Sequence, residues 1–232
     1  MRAPEPPWPR LAPEDASRPA LDAGDIQLWW WPESAMPELP RRERIGQLLR
    51  RTLAPCLGVA PEALAFGREP RGRPFLAHAD APDFNLTDTG GGTLVAVSRA
   101  GRVGVDIERH DRRVRAAALA RRWFSADEAA AVAALPDEAA SRLFLHLWTA
   151  KEAACKATGT GIFDNRLAQW RFAPAEGDPQ VRALPPEAGG MAAWRFLRLA
   201  PTAAHTAVVA LRGDARALHA FHALYRGPWP SR

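Results

Sequence analysis

Lysine is almost missing from this chain: among 31 basic residues, only Lys151 and Lys156 are lysines and the rest are arginines. They stand five residues apart on either side of Glu152, in a sequence that otherwise writes every cation as arginine. This contrast points to chemistry rather than solubility. Cysteine is scarce too. Cys56 and Cys155 fit neither a C-x-x-C pair nor a zinc spacing, which excludes a disulfide framework, and both read as free thiols in a reducing compartment. No stretch approaches the roughly 20 apolar residues of a membrane span, and the N-terminus lacks a signal peptide's apolar core. The expectation is a cytoplasmic protein with no membrane partner, acting as a monomer.

What is present is ordinary for a globular chain: 232 residues, 47% hydrophobic and 25% charged. A net charge of +5 and a pI near 10.1 imply acidic partners. Residues 1–23 carry six prolines and few large apolar side chains, and read as a disordered or loosely docked extension. Ile26 to Trp31 reads as a strand ended by Pro32, and Arg41 to Leu53 as a helix with Ile45, Leu48, Leu49 and Leu53 on its apolar face. Gly67 to Pro74 is a Gly/Pro loop whose Arg68, Arg71 and Arg73 either converge on an anion or form a solvated basic surface.

Thr93 to Ser98 and Val103 to Glu108 read as a hairpin, with Val103, Val105 and Ile107 on one face and Asp106 with Glu108 on the other. Two carboxylates on one strand face repel each other, a cost that solvent can absorb or a divalent cation can turn into binding. Ser125-Ala126-Asp127-Glu128 is a capping box opening a helix. The helix from Ala139 to Thr158 turns Leu143, Leu147, Ala150 and Ala154 to a core and aligns Trp148, Glu152 and Lys156 elsewhere. Its apolar surroundings place the Glu152 carboxylate in a cleft; the bland alternative is a surface Glu/Lys pair. Strands are expected at Ala168 to Phe172, Trp194 to Leu199 and Thr206 to Leu211, the last two as a hairpin, and a short helix at Ala215 to Tyr225. The economical arrangement is α+β, with lobes at 24–103 and 104–232 after the 1–23 extension.

Arginine loop, D-x-E strand and K-E-x-x-x-K helix occur in an order that resembles the Sfp-type 4'-phosphopantetheinyl transferases. Gly104-Val105-Asp106-Ile107-Glu108 resembles that family's G-V-D-I-E, and Trp148 to Lys156 its W-x-x-K-E-A-x-x-K. Gly72-Arg73-Pro74, Phe84-Asn85-Leu86 and Trp123-Phe124-Ser125 with Glu128 are similar to further family motifs. The resemblance implies two similar α+β lobes related by a pseudo-twofold axis. It also implies transfer of phosphopantetheine from coenzyme A to a serine of an apo acyl or peptidyl carrier protein, releasing adenosine 3',5'-bisphosphate. A non-catalytic carrier-binding or coenzyme A-binding module of the same fold is the alternative; a nucleic-acid binder is the weaker rival, since no such motif is present.

Carried over by motif, Asp106, Glu108 and Glu152 would hold Mg2+, or Mn2+ in its place. Glu152, Lys156 and Asp106 would be catalytic. Arg44, Arg68, Arg71, Arg73, Thr87, Asp88, Asp106 and Lys156 would face coenzyme A. The sequence departs from the family at Thr87-Asp88, where Ser-His is usual, so an anion replaces a cation near a phosphate. Arginines around Asp88 are expected to compensate. Lys151 points about 100° away from the Glu152 face, so a packing or carrier-facing role is as open to it as catalysis.

Overall fold

Period-two patterning becomes two main sheets, and helical periodicity supplies the layers that cover them. The computed structural model describes residues 5, 7–36, 38–161 and 166–224. In chain order the elements are β1 (Arg10–Leu11), β2 (Asp25–Pro32), α1 (Arg41–Leu57), β3 (Phe66–Arg68), β4 (Pro74–Leu76), β5 (Asp83–Thr89), β6 (Gly92–Ser98) and β7 (Gly101–Arg109). There follow α2 (Ala116–Trp123), α3 (Ala126–Ala133), α4 (Asp137–Thr158), α5 (Arg166–Gln169), β8 (Arg171–Phe172), β9 (Val181–Ala183), β10 (Trp194–Leu199), β11 (His205–Gly213) and β12 (Ala217–Ala223). The class is α+β, as the sequence led us to expect.

One sheet runs β1-β12-β2-β6-β5 and another β10-β11-β7. Ile26, Leu28 and Trp30 of β2 share a core with Val103, Val105 and Ile107 of β7 and with Ala207, Val209 and Leu211 of β11, so the two sheets pack face to face. Trp29 and Trp31 point the other way, onto Leu48, Leu49 and Leu53 of α1. The second sheet's outer face, with Val208, Ala210 and Phe196, packs on α2, α3 and α4. The three consecutive tryptophans are core because β2 is covered on both faces.

Three local expectations are corrected. The 93–98 and 103–108 strands do not form a hairpin: β6 pairs with β2 and β5, whereas β7 pairs with β11. The chain changes sheet at Gly101 (φ +135), where a Cβ would lie 2.3 Å from the Arg212 carbonyl, so the close approach to β11 needs glycine. Second, 217–223 is not helical but a strand parallel to β2, with Ala220 in one core and Phe221 in the other. Alanine and leucine favour helix, but burial on both faces selects the extended form. Tyr225 lies outside the described residues. Third, only Arg171–Phe172 of the expected 168–172 strand is extended.

The described part of the N-terminal extension is docked rather than loose. Trp8 is buried, and β1 pairs with β12. Arg18 stacks over Trp29 and donates to Gln27 Oε1 (2.9 Å) and Cys56 Sγ (2.7 Å).

Helix α4 packs on β7 with no room for a side chain at Gly104. A Cβ on Gly104 would stand 2.0 Å from the Ala153 carbonyl and 2.4 Å from the Ala157 amide. Gly104→Ala is therefore expected to cost at least about 1–3 kcal/mol by forcing strand and helix apart. Thermal denaturation measures this, and an unchanged midpoint would contradict the packing argument.

Candidate active site

Strand β7 exposes one edge to β5, and β5 fills it with side chains at period two. Asp83 Oδ2 accepts from the Val103 amide (2.8 Å) and Asn85 Oδ1 from the Val105 amide (2.9 Å). One step further, the Thr87 hydroxyl donates to Asp106 Oδ1 (3.2 Å). Because β5 side chains alternate, the residues that satisfy the β7 backbone also bring Thr87 to Asp106.

Helix α4 approaches from the other side. Lys156 Nζ donates to Asp106 Oδ1 (2.6 Å) and Thr87 Oγ1 (3.1 Å), and stands 3.8 Å from Glu152 one turn back. These residues border one pocket of about 590 Å3, together with Arg41, Asp88, Thr89, Glu108 and Arg112. Glu108 pairs with Arg112. The strand alternation and the helical face expected from the sequence thus meet around one cavity.

The cavity is short of compensating positive charge. Burial, and then the Asp106 carboxylate, push Glu108 up to about 7 against the pull of Arg112. Glu152 is likewise pushed up to about 7, by burial first and Asp106 second, with Lys156 opposing. Burial alone would depress the Lys156 ammonium; Asp106 and Glu152 outweigh it and keep it protonated. Oδ2 of Asp106 is buried and has no partner. An orphaned carboxylate oxygen beside two carboxylates that resist ionisation fits a site for an added cation. Among the described residues no three His, Cys, Asp or Glu side chains are arranged to hold a metal ion on their own. Mg2+ does not need such a set, since it keeps several waters and commonly takes one or two carboxylates plus phosphate oxygens.

The arginines divide. Arg68, Arg71, Arg73 and Arg44 do not line the pocket. Arg73 is turned inward: Nη1 and Nη2 clamp Asp83 (2.8 and 2.7 Å), Nη2 also donates to the Val103 carbonyl, and Nε donates to the Lys156 carbonyl (2.9 Å). With Arg102, which donates to the Ala157 carbonyl (3.2 Å), it caps the end of α4. Arg68 donates to the Gly72 carbonyl (2.7 Å) and Arg71 to that of Thr160. Arg44 keeps a buried Nε without a partner and acts on Asp88 only through its charge.

Sequence reading missed Arg41 and Arg112. Arg41 grips Asp88 through Nε (2.9 Å) and Nη2, and this hydrogen bonding holds Asp88 below the usual carboxylate range. The anion at the departure position is thus covered by an arginine from the first turn of α1, 47 residues away in sequence. Arg112 lies one helix-like step beyond Glu108, and its i,i+4 spacing was the only local signal.

Lys151 now has a role. Its side chain is fully buried, and its three protons meet Glu128 Oε2 (2.8 Å), the Leu167 carbonyl (2.9 Å) and the Trp170 carbonyl. Glu128 accepts in addition from the Phe172 amide (2.9 Å) and the Ser125 hydroxyl (2.7 Å). The capping box is present, but Glu128 does more than cap: with Lys151 it ties α3, α4 and the 167–172 segment together. Lys151 therefore sits where a compact cation donates in three directions, and Lys156 where it donates to Asp106 and Thr87 beside the Glu152 carboxylate, arrangements that a planar guanidinium does not reproduce.

The sequence profile described as the 4'-phosphopantetheinyl transferase superfamily matches residues 102–211, the segment carrying β7, α4 and the three-stranded sheet. The chain is similar to the 4'-phosphopantetheinyl transferase HetI of Nostoc sp., 34% identical over 181 residues, or 76% of this chain and 73% of that one. It is similar to the 4'-phosphopantetheinyl transferase psf-1 of Bacillus pumilus, 37% identical over 123 residues, covering 53% of this chain and 52% of that one. A Synechocystis sp. protein carrying a provisional name of the same kind is 36% identical over 140 residues, 56% of this chain and 57% of its own. In the last two cases the match spans little more than half of the relative's length.

Proposed function

Because this chain belongs to the 4'-phosphopantetheinyl transferase superfamily, we propose that it transfers the phosphopantetheine group of coenzyme A to a serine of an apo acyl or peptidyl carrier protein, releasing adenosine 3',5'-bisphosphate. The observation that carries this reading is the convergence of Thr87, Asp106, Glu152 and Lys156, from three separate elements, on one pocket.

In the reaction the serine Oγ–P bond forms as the bond from phosphorus to the bisphosphate oxygen breaks. Glu152, pushed up to about 7 by burial before any cation is bound, is the carboxylate we assign to take the serine proton, directly or through a water. Lys156, held by Asp106 and Thr87, places a positive charge where phosphate oxygens gain negative charge. A divalent cation such as Mg2+, taking one or two of the Asp106, Glu108 and Glu152 carboxylates and completing its shell with water, would neutralise pyrophosphate oxygens when bound. Arg41 offers a cation at the pocket border, and Arg44, Arg68 and Arg71, outside the pocket lining, would offer a basic surround for the coenzyme's 3'-phosphate. Arg73 contributes indirectly, by fixing the turn that carries Lys156. The +5 net charge suits acidic carrier proteins, without nucleic acid or membrane. No described helix is long and apolar enough to cross a membrane. We place the protein in the cytoplasm, as a monomer.

The test is a transfer assay. An apo carrier protein incubated with the chain, coenzyme A and Mg2+ gains the mass of one phosphopantetheine, and EDTA stops the gain. Absence of transfer across a panel of fatty-acid, polyketide and peptide carriers would favour a non-turning-over binding module. Replacement of Asp88 supplies a second check. Asp88→His removes an anion from a phosphate-binding pocket and is expected to lower KM for coenzyme A by about tenfold. An unchanged KM would mean that the Arg41–Asp88 pair lies off the coenzyme.

A further inference from the structure

One carboxylate outside the Asp106 pocket reaches both elements that build it. Asp83, at the start of β5, lines no part of that pocket. Its Oδ2 accepts from the Val103 amide (2.8 Å) and from Arg73 Nη2 (2.7 Å), and its Oδ1 accepts from Arg73 Nη1 (2.8 Å). Val103 stands on β7, the strand that carries Asp106.

Arg73 carries the connection on to α4. Its Nη2 donates also to the Val103 carbonyl (2.8 Å), and its Nε donates to the Lys156 carbonyl (2.9 Å) in the last turn of that helix. One guanidinium therefore bonds the β5-facing edge of β7 and the end of α4, and Asp83 fixes its plane through both Nη atoms. The Arg73 side chain is 5% exposed and that of Asp83 17%, so water competes little for these bonds. Glu69 does not duplicate the clamp. It lies 3.7 Å from Arg73 Nη1, beyond hydrogen-bonding reach, and both its oxygens are taken by Arg102. Asp106 and Lys156, 2.6 Å apart at Oδ1 and Nζ, thus share one buried pair behind their backbones.

We propose that Asp83 is a positioning residue for the Asp106–Lys156 pair: by orienting Arg73 it sets the separation between the strand that carries Asp106 and the helical turn that carries Lys156. Its effect on turnover rests on the transferase reading; its effect on the Lys156 side chain does not. The carboxylate itself is needed. Asp83→Asn keeps the size but leaves one oxygen, and whichever way the amide turns, its NH2 faces a donor, either Arg73 Nη1 or the Arg73 Nη2 and Val103 amide together. Arg73→Lys keeps the charge, but a compact ammonium replaces the planar fork that spans the Val103 and Lys156 carbonyls.

The experiment has a spectroscopic arm and a kinetic one. The chain has only two lysines, so isotope labelling of lysine Cε gives two side-chain NMR signals, and Lys151, bonded to Glu128 in the core, is the internal control. In the full chain alone, Asp83→Asn and Arg73→Lys are each expected to shift and narrow the Lys156 signal as its side chain is released, with Lys151 unmoved. In the transfer assay both variants are expected to lower kcat by about tenfold or more, the scale of a small misplacement at a reacting centre, with KM for coenzyme A within about twofold of the parent. In the Lys156→Ala background Asp83→Asn is expected to cost less than about twofold further, since the side chain it positions is gone. The proposal falls if the Lys156 signal stays as in the parent, if both lysine signals move together, if the kcat loss is as large without Lys156, or if KM for coenzyme A rises with kcat unchanged. Arg73→Lys decides the matter should Asp83→Asn fail to fold. A parent chain that transfers nothing, with the Lys156 signal still released by Asp83→Asn, would overturn the transferase reading and uphold the positioning of Lys156.

Discussion

Lys156→Ala is expected to lower kcat for phosphopantetheine transfer by about 10^2- to 10^3-fold, the loss found when one aimed donor to a developing negative charge is removed. The ammonium does two things in the proposed mechanism. It offsets charge on the phosphate oxygens, and it opposes the burial and Asp106 repulsion that raise Glu152. Removing it pushes the Glu152 carboxyl further up, so the acidic limb of the kcat/KM profile moves to higher pH as well. Lys156→Arg keeps the charge but not the threefold geometry with Asp106, Thr87 and Glu152, and recovers only part of the rate. A Lys156→Ala variant with parental kcat and an unmoved acidic limb would remove the lysine from the chemistry.

The second large effect is on stability. Lys151→Met is expected to destabilise the fold by about 3–5 kcal/mol, because it strands the Glu128 carboxylate in the core. It also takes the donor from the Leu167 and Trp170 carbonyls. Urea unfolding should show a lower midpoint with an unchanged slope. Adding Glu128→Gln to Lys151→Met is expected to cost less than the sum of the two single changes, since the second removes the charge that the first left unpaired. Strict additivity, or a single-mutant cost below about 1 kcal/mol, would show that the pair is not acting as one buried unit. These outcomes separate the lysines: Lys151 is read in unfolding, Lys156 in turnover.

The Ser125 capping box shows what was legible locally, since its signal lies within four residues. The same Glu128 shows where legibility ended. Its bonds to Lys151 and the Phe172 amide span 23 and 44 residues, and no local spacing announces them. The arginine loop misled for a related reason. Gly and Pro mark 67–74 as a turn, but whether Arg73 meets a ligand or the end of its own α4 depends on a helix 83 residues away. The segment 217–223 shows the converse: its composition favours helix, and only its place between two cores makes it a strand.

By itself the sequence determined the α+β class, the strand face shared by Asp106 and Glu108, the helix face shared by Glu152 and Lys156, and the family to which their order belongs. These are properties of residues within one or two turns of each other, where backbone periodicity alone sets direction. Tertiary structure decided which faces meet: that Thr87 reaches Asp106 through the β5 side-chain ladder, that Arg41 covers Asp88, and that Arg73 serves α4. It also decided that one of two lysines in the same helix lines a pocket while the other locks a core. The reason is physical: a side chain's direction is local, but burial, charge pairing and desolvation depend on whatever the rest of the chain packs against it.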